Sequence, residues 1–256
     1  MHFFKDNLIF KISNTKENND ISNFTHPLEF LNKLTTNLLK LDNIESNFTY
    51  NTLTTNINIF YTAMLNPQGR FLMDMFVYSD KKMYIYVEIH KKFADNFLKK
   101  LHLFDIESEF IITLQNNLTT GFIPIANDYK NIMQFYQNYL LKNNEITSSN
   151  ILSYIKNNIN VNNIKKPTIK DAIIGLDNRR VNFGLRFIIE TNNYTTDHNL
   201  FNYDDYRLLY KVPEGYIDME IDKSVILEFD FENLNAISFN KCCYPGKELM
   251  ARTKHL

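Results

Sequence analysis

Tryptophan is absent from this 256-residue chain, glycine and proline number six each, and the only two cysteines are neighbours, Cys242 and Cys243. Adjacent cysteines cannot staple distant segments, so a disulfide framework is excluded, and such sparing use of the thiol suits a reducing compartment. No C-x-x-C occurs, and none of the six histidines pairs with another at metal-ligand spacing, which leaves a structural zinc site without ligands. A complete iron–sulfur cluster needs about four thiolates, so no metal is expected to be bound by this chain alone. Neither G-x-G-x-x-G nor G-x-x-x-x-G-K-[ST] is present, and nucleotide cofactors lack support. Charge of one sign is also lacking: 28 Lys and Arg stand against 29 Asp and Glu with no long basic run, so no direct nucleic-acid partner is expected. Nowhere do about 18 uncharged apolar residues run together, and MHFFKDNLIFK is too short and too charged for a signal peptide. The expectation is a soluble intracellular protein with no membrane partner.

Hydrophobic residues make up 44% and charged residues 22% of the chain, an ordinary globular balance, and the length allows one or two domains. The abundance of Asn, Lys, Ile, Phe and Tyr reads as coding bias, and Asn-rich runs as loops or helix edges. LIFKIS (8–13) reads as a strand. PLEFLNKLTTNLLKL (27–41) reads as a helix that opens on proline and sets Leu28, Leu31, Leu34 and Leu38 on one face. Residues 56–79 hold two apolar runs around Asn66-Pro67-Gln68-Gly69, the pattern of a hairpin. A strand at 82–89, a helix at 91–104 and strands at 109–114 and 121–125 follow. Helices are expected at 127–144 and 148–160, a linker at about 157–166, a strand at 181–189, and helices at 203–212 and 247–255. This irregular mixture argues for α+β. The provisional organisation is one unit, 1–256, with lobes 1–156 and 167–256, possibly intertwined.

The stretch KCCYPGKE (241–248) carries both cysteines. Pro245 disfavours a helical backbone at Tyr244, Gly246 permits a sharp turn, and good helix formers come next. Cys243 would then stand just before a helix N-terminus, where free amides, Lys241 and Lys247 favour a thiolate, and where Glu248 complements the dipole. Such a thiol could be a nucleophile, a cluster ligand or a redox-sensitive group. Equally, both cysteines could be small buried hydrophobes.

KCCYPGKE closely resembles the K-G-C-Y-x-G-Q-E signature of the YgfZ family, the folate-binding relatives of the glycine cleavage T-protein. FLNKLTTN (30–37), AMLNPQGRFLMDMFVY (63–78) and LDNRRVNFGLR (176–186) resemble further motifs of that family in the same order. The chain departs from the pattern at Cys242 for glycine, Lys247 for glutamine, Leu38 for an acid and Asn178 for proline. It also stops where most members continue into a small β-barrel.

The resemblance implies a T-protein-like fold with lobes around a central channel, the C-terminal β-barrel being absent. It implies a tetrahydrofolate cofactor, an iron–sulfur assembly or client protein as partner, a monomer, and a cytoplasmic or organelle-matrix location. Cys243 becomes the functional thiol, a shared cluster ligand at most, with Lys241, Tyr244, Gly246, Lys247 and Glu248 shaping its loop. For the folate, Tyr206 either replaces the tryptophan wall of some members or is one of 15 ordinary tyrosines. Arg70, Asp74, Asp177, Arg179 and Arg186 either line the channel or hold the lobes together, and Asn37 either lines it or is a helix-end residue. Arg252 either faces the folate tail or suits its helix end. The functional expectation is a folate-binding accessory protein for iron–sulfur cluster assembly or repair, serving tRNA-modifying radical enzymes among others. A folate-dependent one-carbon transferase and a scaffold that has lost the folate site are the alternatives.

Overall fold

A computed structural model describes residues 2–15, 25–40, 58–79, 83–124, 173–181, 183–191, 202–241 and 243–254. In chain order these form β1 (His2–Phe3), β2 (Asn7–Asn14), α1 (Pro27–Asn32), β3 (Asn58–Leu65), β4 (Phe71–Ser79), β5 (Tyr84–His90) and α2 (Ala94–Phe104). Then come β6 (Phe110–Leu114), β7 (Leu118–Pro124), β8 (Ile173–Asp177), β9 (Gly184–Glu190), α3 (Tyr203–Leu209), α4 (Gly215–Asp218) and α5 (Lys247–Lys254). The expected helices at 127–144 and 148–160 and the linker at 157–166 lie outside the described residues.

Two antiparallel sheets organise the fold: one of five strands, ordered β3-β4-β5-β2-β6, and one of four, ordered β1-β7-β9-β8. The second sheet joins strands from both sides of residues 157–166. On one face of the five-stranded sheet Phe10 meets Phe97 of α2 with ring centroids 5.7 Å apart, and Phe110 stacks on Phe30 of α1 at 4.5 Å. The other face carries Tyr61, Asp74, Phe76, Tyr78 and Glu88, in register across β3, β4 and β5. It lies against the four-stranded sheet, because Glu88 accepts hydrogen bonds from Thr120 and Arg186 of that sheet. β4 is therefore covered on both faces. All nine of its residues are buried, which is why FLMDMFVYS runs apolar instead of alternating.

The hairpin, the strands at β2, β5, β6, β7 and β9, and the helices α2, α3 and α5 fall where the sequence places them. Two local readings change. The helix expected over 27–41 stops at Asn32, because the Asn32 side chain turns back to bond both the N–H (2.7 Å) and the C=O (2.5 Å) of Leu39. Thr35 hydroxyl then bonds the Leu31 carbonyl at 2.9 Å, and Leu38 is left 42% exposed instead of joining the apolar face. β8 (IIGLD) was not anticipated. Its pairing with β9 defines it, and no local periodicity announces it.

Candidate functional site

The signature loop is held by two turns packed backbone to backbone. Gly246 has φ +81° and Gly69, in the turn between β3 and β4, has φ +74°. A Cβ on Gly246 would lie 2.5 Å from the Asn66 carbonyl oxygen and 2.7 Å from Gly69 Cα, so only a hydrogen fits. The hairpin motif NPQGR and the terminal motif CYPGKE, far apart in sequence, thus meet at two glycines.

Lys241 anchors the other end of the loop. Its side chain is buried, and Nζ donates to the carbonyl oxygens of Thr35 at 2.6 Å and Asn37 at 2.7 Å. Among the described residues it has no carboxylate partner. Burial, aided by the positive charge of Lys247, lowers its pKa from 10.5 to about 7. Lys247 Nζ in turn donates to the Lys241 carbonyl. The Tyr244 ring lies 5.4 Å from Lys241 Nζ, and its buried hydroxyl, raised in pKa by burial, faces Met250 Sδ at 3.9 Å. Between these fixed points Cys243 stands exposed. Cys242 lies outside the described residues. Glu248 and Arg252 pair at 2.6 Å on the exposed side of α5.

The Thr35–Asn37 turn is itself tied down. Thr36 hydroxyl donates to the Ala236 carbonyl at 2.7 Å, and Asn37 Nδ2 donates to Tyr61 O at 3.0 Å and Asn235 O at 2.7 Å. Asn235 Nδ2 continues the chain to Asn178 O at 2.7 Å. The Cys243 loop, the Thr35–Asn37 turn and the turn after β8 therefore share one set of struts.

Between the sheets lies a buried ionic network. Arg179 grips Asp177 through Nε (2.9 Å) and Nη2 (2.9 Å), bonds Glu214 at 3.2 Å and Tyr203 Oη at 2.8 Å, and packs on the ring of Phe76 at 4.7 Å. Arg186 reaches Glu88 at 2.7 Å and Asp177 at 3.3 Å and lies 3.6 Å from the Phe76 ring centre. Burial opposes charge on Glu88 and Asp177, yet Arg186 and Arg179 hold both carboxyls below their ordinary pKa. Asp74 differs. Burial and the negative Glu214 raise it to about 6, although Tyr61 hydroxyl (2.7 Å) and Gly215 N–H (3.2 Å) bond its carboxyl. Among the described residues Asp74, Glu88, Asp177 and Glu214 share the two arginines Arg179 and Arg186 between the sheets, and one carboxyl keeping its proton lowers the mismatch.

No family model matches the chain. It is 24% identical over 228 residues to a protein of Neurospora crassa named iron–sulfur cluster assembly factor IBA57 homolog, mitochondrial, covering 82% of this chain and 46% of that protein. The Yarrowia lipolytica protein of the same name is 25% identical over 218 residues, covering 76% of this chain and 44% of its own length. A shorter match to human IBA57 is 41% identical over 58 residues, 23% of this chain and 16% of the human protein. The resemblance to the YgfZ family holds. The chain spans less than half the length of the curated relatives it matches. Its fold is similar to the glycine cleavage aminomethyltransferase T of Bartonella henselae, with TM-score 0.56 and 11% identity over 99% of this chain and 62% of that structure. That likeness shows the fold alone.

The YgfZ-type signature residues Lys241, Cys243, Tyr244, Gly246, Lys247 and Glu248 come together in one loop. The folate candidates do not form an open site. Tyr206, expected to stack a pterin, is 1% exposed, gives its hydroxyl to Phe183 O at 2.6 Å, and has its ring against Phe183 at 5.3 Å and Tyr210 at 4.7 Å. It belongs to the inward stripe of α3 with Tyr203, which leaves no ring face for a ligand. Asp177 and Arg179 bond each other, and Asp74 accepts from Tyr61 and Gly215, all between the sheets. Asn37 is a strut, the exposed Arg70 donates to Lys223 O at 3.1 Å, and Arg252 is taken by Glu248. In this structure the described candidates are engaged by other groups of the protein. Glu88, Glu214, Tyr61 and Tyr203 were missed as partners in this network. A charge inside an otherwise apolar strand, as in YIYVEIH, was the available signal.

Proposed function

We propose that this chain acts in iron–sulfur cluster assembly or repair, with Cys243 as its working thiol, in an organelle matrix of bacterial descent. The names of its relatives support the process and the mitochondrial setting. The observation that carries the residue is the exposure of Cys243 on a loop otherwise locked by Gly246, Tyr244 and Lys241. An exposed sulfur on a rigid loop can share a cluster with a partner that supplies the remaining thiolates, since this chain cannot fill a cluster's ligand set. The loop fixes where that sulfur is presented, because Gly246 is wedged against the β3–β4 turn and Lys241 is tied to Thr35 and Asn37.

The test is complementation in cells depleted of their own IBA57-type protein, scoring a four-iron four-sulfur enzyme. Cys243→Ser should fail while remaining folded by circular dichroism. Full rescue by that variant would remove the thiol from the mechanism.

Tetrahydrofolate binding and service to tRNA-modifying radical enzymes form the finer part of the proposal and rest on the family likeness alone. Equilibrium titration with tetrahydrofolate decides the first: saturable binding supports it, and none assigns the chain as a scaffold without folate. The one-carbon transferase alternative rests on the fold likeness alone, since Asp74 is buried and bonded between the sheets. Turnover of a methylamine-type donor would favour that reading.

A further inference from the structure

Among the described residues five non-glycine residues have a left-handed backbone, and three of them gather around the turn after β8: Lys211 (φ 52°), Asp230 (φ 62°) and Asn235 (φ 55°). A side chain is strained in that conformation, so such residues persist only where their surroundings hold them. Arg180 supplies the hold. Its Nε donates to Tyr210 O at 3.2 Å and its Nη1 to Asn233 O at 3.4 Å. Its Nη2 donates to Lys211 O at 3.2 Å and pairs with Asp230 Oδ2 at 2.5 Å. The neighbouring Arg179 enters the buried ionic network through Asp177 and Glu214. Two successive arginines thus rivet the turn after β8.

Asn235 carries this fixed point toward the cysteine loop. Its Nδ2 donates to Asn178 O at 2.7 Å, and its own carbonyl accepts from Asn37 Nδ2 at 2.7 Å. Just beyond it, Ala236 O accepts from the Thr36 hydroxyl at 2.7 Å and Ser238 N donates to Thr36 O at 3.0 Å, so this segment braces the Thr35–Asn37 turn. That turn supplies both carbonyl acceptors of Lys241 Nζ, just ahead of Cys243. Asparagine suits the place, because it tolerates a left-handed backbone and its short amide reaches a carbonyl of the adjoining turn.

We propose that Asn235 is a positioning residue for Cys243, passing the fixed geometry of the turn after β8 through Asn37 to Lys241 and so to the cysteine loop. The proposal rests on the reading of Cys243 as the working thiol. A sulfur that completes a partner's ligand set must be held to within about 0.5 Å. Losing one hydrogen bond from the chain of struts shifts the loop's opening equilibrium about three- to tenfold.

The test uses Asn235→Gly and Asn235→Asp in the full chain. Both keep the left-handed backbone and remove the amide donor, so a residue needed for its backbone alone tolerates either. Hydrogen–deuterium exchange, read by mass spectrometry, should quicken about three- to tenfold over residues 244–250 and stay unchanged over α2. Asn37→Ala should do the same, and its double variant with Asn235→Gly should exceed the larger single effect by no more than about twofold, whereas independent effects multiply. In the complementation assay Asn235→Gly should lower the four-iron four-sulfur enzyme at least about threefold. Unchanged exchange over 244–250, an equal rise over α2, multiplying effects or full complementation would overturn the proposal. The exchange readout does not depend on what Cys243 does, so failure of the thiol reading, seen as full rescue by Cys243→Ser, is told apart from failure of the relay.

Discussion

Replacing Gly246 by alanine tests the contact that joins the two motifs. At φ +81° an L residue is strained, and a left-handed conformation costs about 1–2 kcal/mol. The new Cβ would also fall 2.5 Å from Asn66 O and 2.7 Å from Gly69 Cα, both backbone atoms that no rotamer change can move aside. Overpacking of this kind costs about 1–3 kcal/mol. Together they give roughly 3 kcal/mol, a fall in Tm of about 6–12 °C for a chain of this size. Gly69→Ala shares the backbone strain, at φ +74°, but its closest contact is 3.1 Å, so it should cost less. Once one Cβ has parted the turns, the second meets less resistance, and the double variant should cost less than the sum. Urea denaturation followed by far-UV circular dichroism measures all three. A loss below about 0.5 kcal/mol for Gly246→Ala, or strict additivity, would show that the turns do not touch as described.

Asp74, raised to about 6, makes the fold favour its protonated form, so its contribution to stability is present below pH 4 and lost as pH rises toward 6. That loss is about 3 kcal/mol at neutral pH, and Asp74→Asn should flatten the difference between stability at pH 4.5 and pH 7; parallel profiles would refute it. Arg186→Met should destabilise by about 3–5 kcal/mol, because Glu88 and Asp177 would stay buried without that cation; chemical denaturation reads this directly. Lys241, lowered to about 7, favours its neutral form, so its contribution is lost as pH falls from 10.5 toward 7. Lys241→Met should remove that rise of stability with pH while costing bonds to Thr35 and Asn37. Leu38→Asp should change stability by less than about 0.5 kcal/mol, since Leu38 is outside the helix and half exposed.

Much of the fold was readable because its signals are local. Asn66-Pro67-Gln68-Gly69 between two apolar runs announces the β3–β4 hairpin, and Phe93, Phe97 and Leu101 announce α2. The helix over 27–41 was overread because leucine spacing is blind to Asn32 folding back on Leu39. β8 was missed because its five residues form a strand only by pairing with β9. In the candidate site, the signature loop was legible by resemblance and Gly246 by its need for an unusual backbone. Tyr206 was not, since an aromatic on an amphipathic helix looks the same whether it lines a cavity or fills a core.

The sequence alone determined the kinship, the hairpin turn and the terminal thiol motif. Those depend on residue identity and short spacing. Tertiary structure alone decided that Gly69 and Gly246 touch, that Lys241 is buried with no carboxylate partner among the described residues, and that Glu88, Asp177 and the two arginines interlock between the sheets. Such facts depend on which distant segments share a dielectric interior, and desolvation and Coulomb attraction act through space, not along the chain.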